Sequence, residues 1–227
     1  MTALATQVIH VGRSREPLIV VACAADDLAE LVDAASALAP FPPSGNYYPG
    51  LRQPITMEMA AHRPVAALLD SVAPLIFDCF DCTGFESVDP SFSMVTLDPG
   101  ELSAAQRVPH FDSPDPDYLA MLLYLSDTPG TGTAFFRQRA TGIERVDPHN
   151  IALFLAAAQV TAGERHGYAG DSDDEYEQIG AVAAQPGRVA IYRGGLLHSG
   201  IIPASMRFSS DPRVGRLTLN LFLRVSR

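Results

Sequence analysis

The spacing of apolar residues changes character near residue 85. Before it, Leu18 to Cys23 is a short β-branched run that reads as a strand. From Asp26, the stretch DDLAELVDAASALA places apolar residues close to every 3.6 positions behind an acidic first turn. That pattern predicts a helix, and Pro40 ends it. Residues 41–54 (FPPSGNYYPGLRQP) are rich in proline and glycine and read as a loop. A second helical stretch is predicted from Thr56 to Phe80, with Pro64 and Pro74 as breaks or kinks.

After residue 85 the runs become short and β-prone: SFSMVTL (91–97), YLAMLLYLS (118–126), TAFFR (133–137), RVAIYR (188–193) and RLTLNLFLRV (216–225). Turn signals separate them, at DPG (98–100), DTPGTG (127–132) and QPG (185–187). Such punctuation predicts an antiparallel sandwich or barrel. An insertion at about 138–184 interrupts the series. Within it, residues 151–159 (IALFLAAAQ) read as helical, and the acidic stretch 167–178, including DSDDEYE (171–177), reads as a solvated surface loop. The expected fold is α+β, mainly β, as one domain over 1–227. Residues 1–85 form its helical N-terminal part and residues 90–225 its β core.

Composition narrows the function classes. Hydrophobic residues make up 47% of the chain and charged residues 19%, enough to build a core rather than a disordered chain. A net charge of -10 argues against nucleic-acid phosphates and anionic membrane surfaces as partners. Three cysteines, Cys23, Cys79 and Cys82, make no disulfide framework, and the single C-x-x-C lacks a second pair for structural zinc. The N-terminus has no signal-peptide pattern and no apolar run is long enough to span a bilayer, so a soluble cytoplasmic protein is expected. Oligomeric state is not legible.

The chemistry concentrates in one constellation. His110 and Asp112 are two residues apart, and in extended backbone such residues share a face, so an imidazole and a carboxylate can hold one ion from one side. An H-x-D alone is equally at home in a surface turn. A distal His198 follows the strand-like RVAIYR, and Arg216 opens the last run with Thr218 two positions on. Two histidines and one carboxylate on one face, with the other face open, suit non-haem iron(II). A guanidinium with a hydroxyl beside it suits the far carboxylate of a diacid.

This order resembles the 2-oxoglutarate and iron(II)-dependent dioxygenases, and within them the prolyl 4-hydroxylase-like branch. HFD followed by LLYLSDTPGTGTAFF (122–136), then QPGRVAIYRGGLLHSGIIP (185–203), then GRLTLNLFLRV (215–225), carry the likeness, which runs over about residues 90 to 225. The resemblance implies a double-stranded β-helix, or jelly roll, with N-terminal helices packed on it. It implies His110, Asp112 and His198 as iron ligands, Arg216 as partner of the 2-oxoglutarate C5 carboxylate, and Thr218 and Tyr124 as further donors to that co-substrate. With Fe(II), 2-oxoglutarate and O₂, the implied reaction is hydroxylation of an unactivated C–H bond on a small molecule, amino acid or peptide. The spacing usual in that family would select Arg207 rather than Arg216. Arg216 is preferred because its strand can aim a side chain inward. The family's Gly-Gly pair stands here as Gly130-Thr131-Gly132.

The loop 44–52 holds Tyr47, Tyr48 and Arg52 among flexible residues, and these are the candidates for substrate contact. His10, His62, His149 and His166 have no partner at ligand spacing and read as structural or exposed. Two other readings stand beside the oxygenase: a catalytically silent jelly roll used for binding or regulation, and a cupin-like metal-dependent hydrolase or isomerase. Asp112 argues against a halogenase, in which a small residue replaces the carboxylate ligand.

Overall fold

The structure, a computed structural model, describes residues 6–22, 25–45, 47–159 and 165–227. Cys23 lies outside the described residues. The N-terminal part holds strands β1 (Thr6–Val11), β2 (Glu16–Ala22) and β3 (Gly50–Pro54) with helices α1 (Ala25–Ala37) and α2 (His62–Phe80). Then come β4 (Gly84–Val95), β5 (Tyr118–Tyr124), β6 (Gly132–Gln138), α3 (Ile151–Gln159), β7 (Tyr176–Ala183), β8 (Arg188–Arg193), β9 (His198–Ile201) and β10 (Leu217–Ser226). Among the described residues no helix is long and apolar enough to cross a membrane.

The strands pair antiparallel in two sheets. The major sheet has the order β1-β2-β8-β5-β10-β4-β3, and the minor sheet β7-β6-β9. Alternation along each strand divides the major sheet into two faces. Leu217, Leu219, Leu221 and Leu223 of β10, with Leu119, Met121 and Leu123 of β5 and Phe92 and Met94 of β4, join one buried cluster with Val65, Leu68, Val72 and Ile76 of α2. Each such side chain contributes roughly 1.5–3 kcal/mol by burial, so this face carries much of the stability. The opposite face looks across at the minor sheet. There Ala120, Leu122 and Tyr124 meet Phe135 of β6 and Tyr192 of β8 in a second cluster. A third cluster covers the outside of the minor sheet, where Phe154 of α3 packs with Phe136 and Tyr176.

The N-terminal 85 residues depart from the helical expectation. β1 and β2 extend the major sheet beyond β8, through Ile19–Ile191 and its neighbouring pairs. Residues 41–54 are not wholly loop, because Gly50–Pro54 pairs with β4 as an edge strand. An edge tolerates Pro54, whose missing N–H faces no ladder partner. Gly50 is required there, since a Cβ would lie 2.0 Å from the Met94 carbonyl oxygen. α2 starts at His62 rather than Thr56, which puts Pro64 in its first turn, where a missing N–H costs nothing, and it continues through Pro74. Cys79 and Cys82 are free thiols at its C-terminal end. The acidic stretch is only partly loop: Asp173 and Glu175 turn back to pair with Arg165, and β7 begins at Tyr176.

Glu144 pins the β1–β2 turn to the minor sheet. Its carboxylate accepts hydrogen bonds from the backbone N–H groups of Arg13 (3.0 Å) and Ser14 (2.9 Å), from the Ser14 hydroxyl (2.6 Å) and from Arg137 (3.1 Å). Gly12 has φ +70, and a Cβ on it would lie 2.2 Å from Glu144 Oε2. Burial opposes the charge on Glu144, but the donors from Ser14, Arg13 and Arg137 outweigh it and hold its carboxyl below the usual value of 4.5. The charged form is therefore the one the fold favours, and its contribution is present at neutral pH and fades as pH falls below about 4.5. We expect Glu144→Gln to cost about 2 kcal/mol at pH 7 in chemical denaturation, and the gap from the parent to narrow in acid. A constant gap from pH 7 to pH 3 would show that the charge plays no part.

Candidate metal centre

His110 lies on the connection between β4 and β5, and His198 is the first residue of β9. Their backbones form an isolated bridge: His110 N–H donates to the His198 carbonyl at 2.9 Å, and His198 N–H donates to the His110 carbonyl at 2.8 Å. Two residues on, Asp112 N–H donates to the Gly194 carbonyl at 2.7 Å. The turn that makes this possible, between β8 and β9, needs its glycines. A Cβ on Gly195 would lie 2.4 Å from the Val146 carbonyl oxygen, and one on Gly194 would lie 2.9 Å from the Tyr118 ring.

The side chains converge accordingly. One ligand atom from each of His110, Asp112 and His198 falls within 4.8 Å of the others. The imidazoles stand 4.3 Å apart, and His198 Nε2 is 3.5 Å from Asp112 Oδ2. His198 Nδ1 sits 2.8 Å from the Leu196 carbonyl oxygen. A carbonyl only accepts, so Nδ1 carries the proton and Nε2 keeps its lone pair toward Asp112.

Electrostatics agree with the geometry. Burial brings both imidazoles down to about 4, helped at His110 by the neighbouring His198, so both are neutral ligands at pH 7. Burial pushes the Asp112 carboxyl up to about 6, against the opposing pull of His110 and Arg52. A carboxylate drawn out of water beside two neutral imidazoles is stabilised by a cation, and deprotonated donors are what a transition ion requires. The residues fit a divalent ion with an open face.

The three residues line a cleft of about 540 Å³ between the two sheets, within the range of small-molecule sites. Arg216 and Thr218 enter it from the major sheet. Arg216 is 4% exposed; it donates to the Gly132 carbonyl at 3.2 Å, its Nε is buried without a partner, and no carboxylate pairs with it among the described residues. Arg207 is exposed and does not line the cleft. The Thr218 hydroxyl donates to the Ser93 carbonyl at 3.3 Å. Tyr124 does not line the cleft: its hydroxyl is bonded to Thr133 at 2.7 Å, and its ring lies 5.8 Å beneath the Arg216 guanidinium. Tyr47, Tyr48 and Arg52 all border the cleft, Tyr47 at its mouth and 78% exposed.

Several lining residues were not singled out in the sequence. Thr133, Tyr192 and Asn220 face the cleft, and Tyr168 closes over it with its hydroxyl bonded to the Leu97 carbonyl at 2.7 Å. Asn220 was within reach of pattern reading: Thr218 and Asn220 are polar, two apart, in an otherwise apolar strand. Tyr168 was not, because nothing local marks a residue in the insertion as neighbour to β4.

No match to this chain is found among curated protein sequences. Solved structures share its fold at low identity. SnoN, the non-heme alpha ketoglutarate dependent epimerase from nogalamycin biosynthesis, superposes with a TM-score of 0.54 at 14% identity, covering 92% of this chain and 78% of that one. A Pseudomonas putida prolyl-4-hydroxylase gives 0.50 at 15%, covering 94% and 95%. HygX from Streptomyces hygroscopicus, solved with nickel and 2-oxoglutarate bound, gives 0.52 at 13%, covering 92% and 82%. The fold is therefore the jelly roll of the 2-oxoglutarate and iron(II)-dependent oxygenases. Residues 2–223 match the family of unknown function DUF6445, and the chain belongs to that family.

Proposed function

We propose that this protein is a non-haem iron(II) and 2-oxoglutarate-dependent dioxygenase that hydroxylates an unactivated C–H bond of a small molecule, amino acid or peptide. The observation that carries the proposal is the convergence of His110, Asp112 and His198 on one open-faced site, with a buried, acid-free Arg216 in the same cleft. Iron(II), once bound with 2-oxoglutarate and O₂, supplies the oxidising chemistry, 2-oxoglutarate leaving as succinate and CO₂.

The roles of the chain follow from its contacts. His110, Asp112 and His198 hold the metal, and the Leu196 carbonyl keeps the His198 ring in the tautomer that ligates. Arg216 takes the far carboxylate of 2-oxoglutarate, a partner that relieves its unpaired Nε, and the Thr218 and Thr133 hydroxyls lie in the same part of the cleft. Tyr124 is a positioning residue, acting on Thr133 through its hydroxyl and on Arg216 through its ring. The Tyr192 ring packs edge-on against His198 at 5.0 Å and limits its rotation.

A catalytically silent jelly roll is disfavoured by the same residues. An unpaired buried guanidinium costs several kcal/mol, which a protein without an anionic ligand gains nothing by keeping. A cupin-like hydrolase or isomerase is disfavoured because no further histidine joins the cluster among the described residues.

With iron, O₂ and 2-oxoglutarate but no second substrate, the parent should form succinate slowly. His110→Ala should lower that rate and the affinity for the metal by about 100-fold or more. Succinate formation unchanged in His110→Ala would defeat the assignment. Arg216→Gln should leave metal binding in place and raise the Kd for 2-oxoglutarate by about 100-fold in calorimetry, the scale of a charge-assisted pair. If Arg207→Gln shows that loss instead, the anchor is Arg207.

A further inference from the structure

The cleft holds a second guanidinium that the proposed co-substrate leaves unused. Arg52 stands on edge strand β3, paired in register with Ser93 of β4, which pairs in turn with Thr218 of β10. Arg52, Ser93 and Thr218 thus form one row across the cleft-facing side of the major sheet. β3 and β10 are two strand spacings apart, about 10 Å, so Arg52 and Arg216 rise from different sides of the cleft. The Nε of Arg52 donates to the Ser93 hydroxyl at 3.2 Å, and its guanidinium lies over the Tyr48 ring, 4.9 Å from the centroid. These two contacts hold its plane and leave the edge formed by Nη1 and Nη2 uncommitted. No acid among the described residues pairs with it, although Asp89 and Asp112 line the same cleft.

We infer that Arg52 is a specificity-determining residue, and that the primary substrate is a small carboxylic acid whose carboxylate it binds end-on through Nη1 and Nη2, beside the metal.

This rests on the co-substrate reading above: if Arg216 takes the far end of 2-oxoglutarate and the metal takes the near end, Arg52 remains for the other reactant. Its position suits that role. Arg52 lines the same cleft as His110 and Asp112, and β3 puts it across that cleft from Arg216. A group held by Arg52 therefore shares the cleft with the metal ligands. The planar two-nitrogen edge matches the two oxygens of a carboxylate. A dianionic phosphate would call for more positive charge than the cleft offers, since Arg52 and Arg216 are its two cationic lining residues and Arg216 is taken by the co-substrate. The cleft's volume suits a small molecule, and Tyr47, Tyr48, Tyr118 and Phe222 line the same cleft with aromatic surface.

The test uses the full chain loaded with zinc and 2-oxoglutarate, which binds without turnover. Phenylacetate and phenylacetamide share shape and differ in charge, and inorganic phosphate serves as a third probe. In ligand-observed NMR titrations the parent should prefer phenylacetate over phenylacetamide by about tenfold or more, the scale of a charge-assisted hydrogen-bonded pair, and phosphate should not compete. Arg52→Gln should erase the preference while its Kd for 2-oxoglutarate stays within about twofold of the parent, which also certifies its fold. Arg52→Lys, which keeps the charge but not the fork, should keep only part of the preference. Equal binding of the two probes, no measurable binding of the acid, or displacement of phenylacetate by phosphate overturns the inference. If Arg52→Gln loses 2-oxoglutarate as well, Arg52 belongs to the co-substrate site and the inference fails. If the parent binds no 2-oxoglutarate at all, the oxygenase reading fails, and the phenylacetate preference is then read on the zinc form alone.

Discussion

Two backbone hydrogen bonds, exchanged between His110 and His198, govern the site. They join an irregular connection to the start of β9, residues 88 positions apart in the chain. Because the bond pair is main-chain to main-chain, it sets the imidazoles side by side, 4.3 Å apart and tilted by 50°, before any ion arrives. The third residue follows from the same register: with His110 fixed, Asp112 reaches the Gly194 carbonyl and turns its carboxylate toward His198. Such a site loses little entropy on binding, since its ligands are held by sheet geometry rather than gathered by the metal.

Desolvation then gives that geometry its chemical meaning. His198 is buried, while His110 and Asp112 open onto the cleft; the partial loss of water there keeps both imidazoles neutral and makes the Asp112 charge costly until a cation answers it. The same loss strengthens the effect of the buried Arg216 on whatever enters. A chain with a net charge of -10 thus carries two guanidiniums, Arg52 and Arg216, in the same cleft as Asp89 and Asp112, and local field rather than net charge decides what binds there.

Much of this was legible in the chain. His110, Asp112 and His198 are visible because H-x-D and a histidine after a strand are local patterns, and the antiparallel core is visible because short β-prone runs, those of β5, β8 and β10 among them, are separated by turn signals. What was missed has a common physical cause. β3 was read as loop because its proline and glycine are unfavourable in a strand interior, yet at a sheet edge Pro54 faces no ladder partner and Gly50 admits the Met94 carbonyl. The contact of the Tyr124 hydroxyl with Thr133 is likewise invisible along the chain, because it joins β5 and β6 across two different sheets. Pairing and packing across strands, not sequence along them, decide which side chains meet.

That distinction separates what this scaffold holds constant from what it can vary. β10, an interior strand of the major sheet, carries Thr218 and Asn220 on its cleft-facing side with Arg216 immediately before it, while its other face is locked into the helix-packed core by Leu217, Leu219 and Leu221. A change of backbone there would disturb both faces at once. Arg52 stands on an edge strand whose full ladder partner is β4 and whose outer side meets residues 42–44 in a single isolated bridge, next to a loop that carries Tyr47 and Tyr48. An edge can shift or exchange side chains with little cost to the core. The sheet therefore places Arg216, the proposed anchor of the co-substrate, where the fold is least able to move and Arg52, the proposed reader of the second reactant, where it is more free to, so that on this proposal selectivity can be rebuilt at β3 without touching the metal ligands.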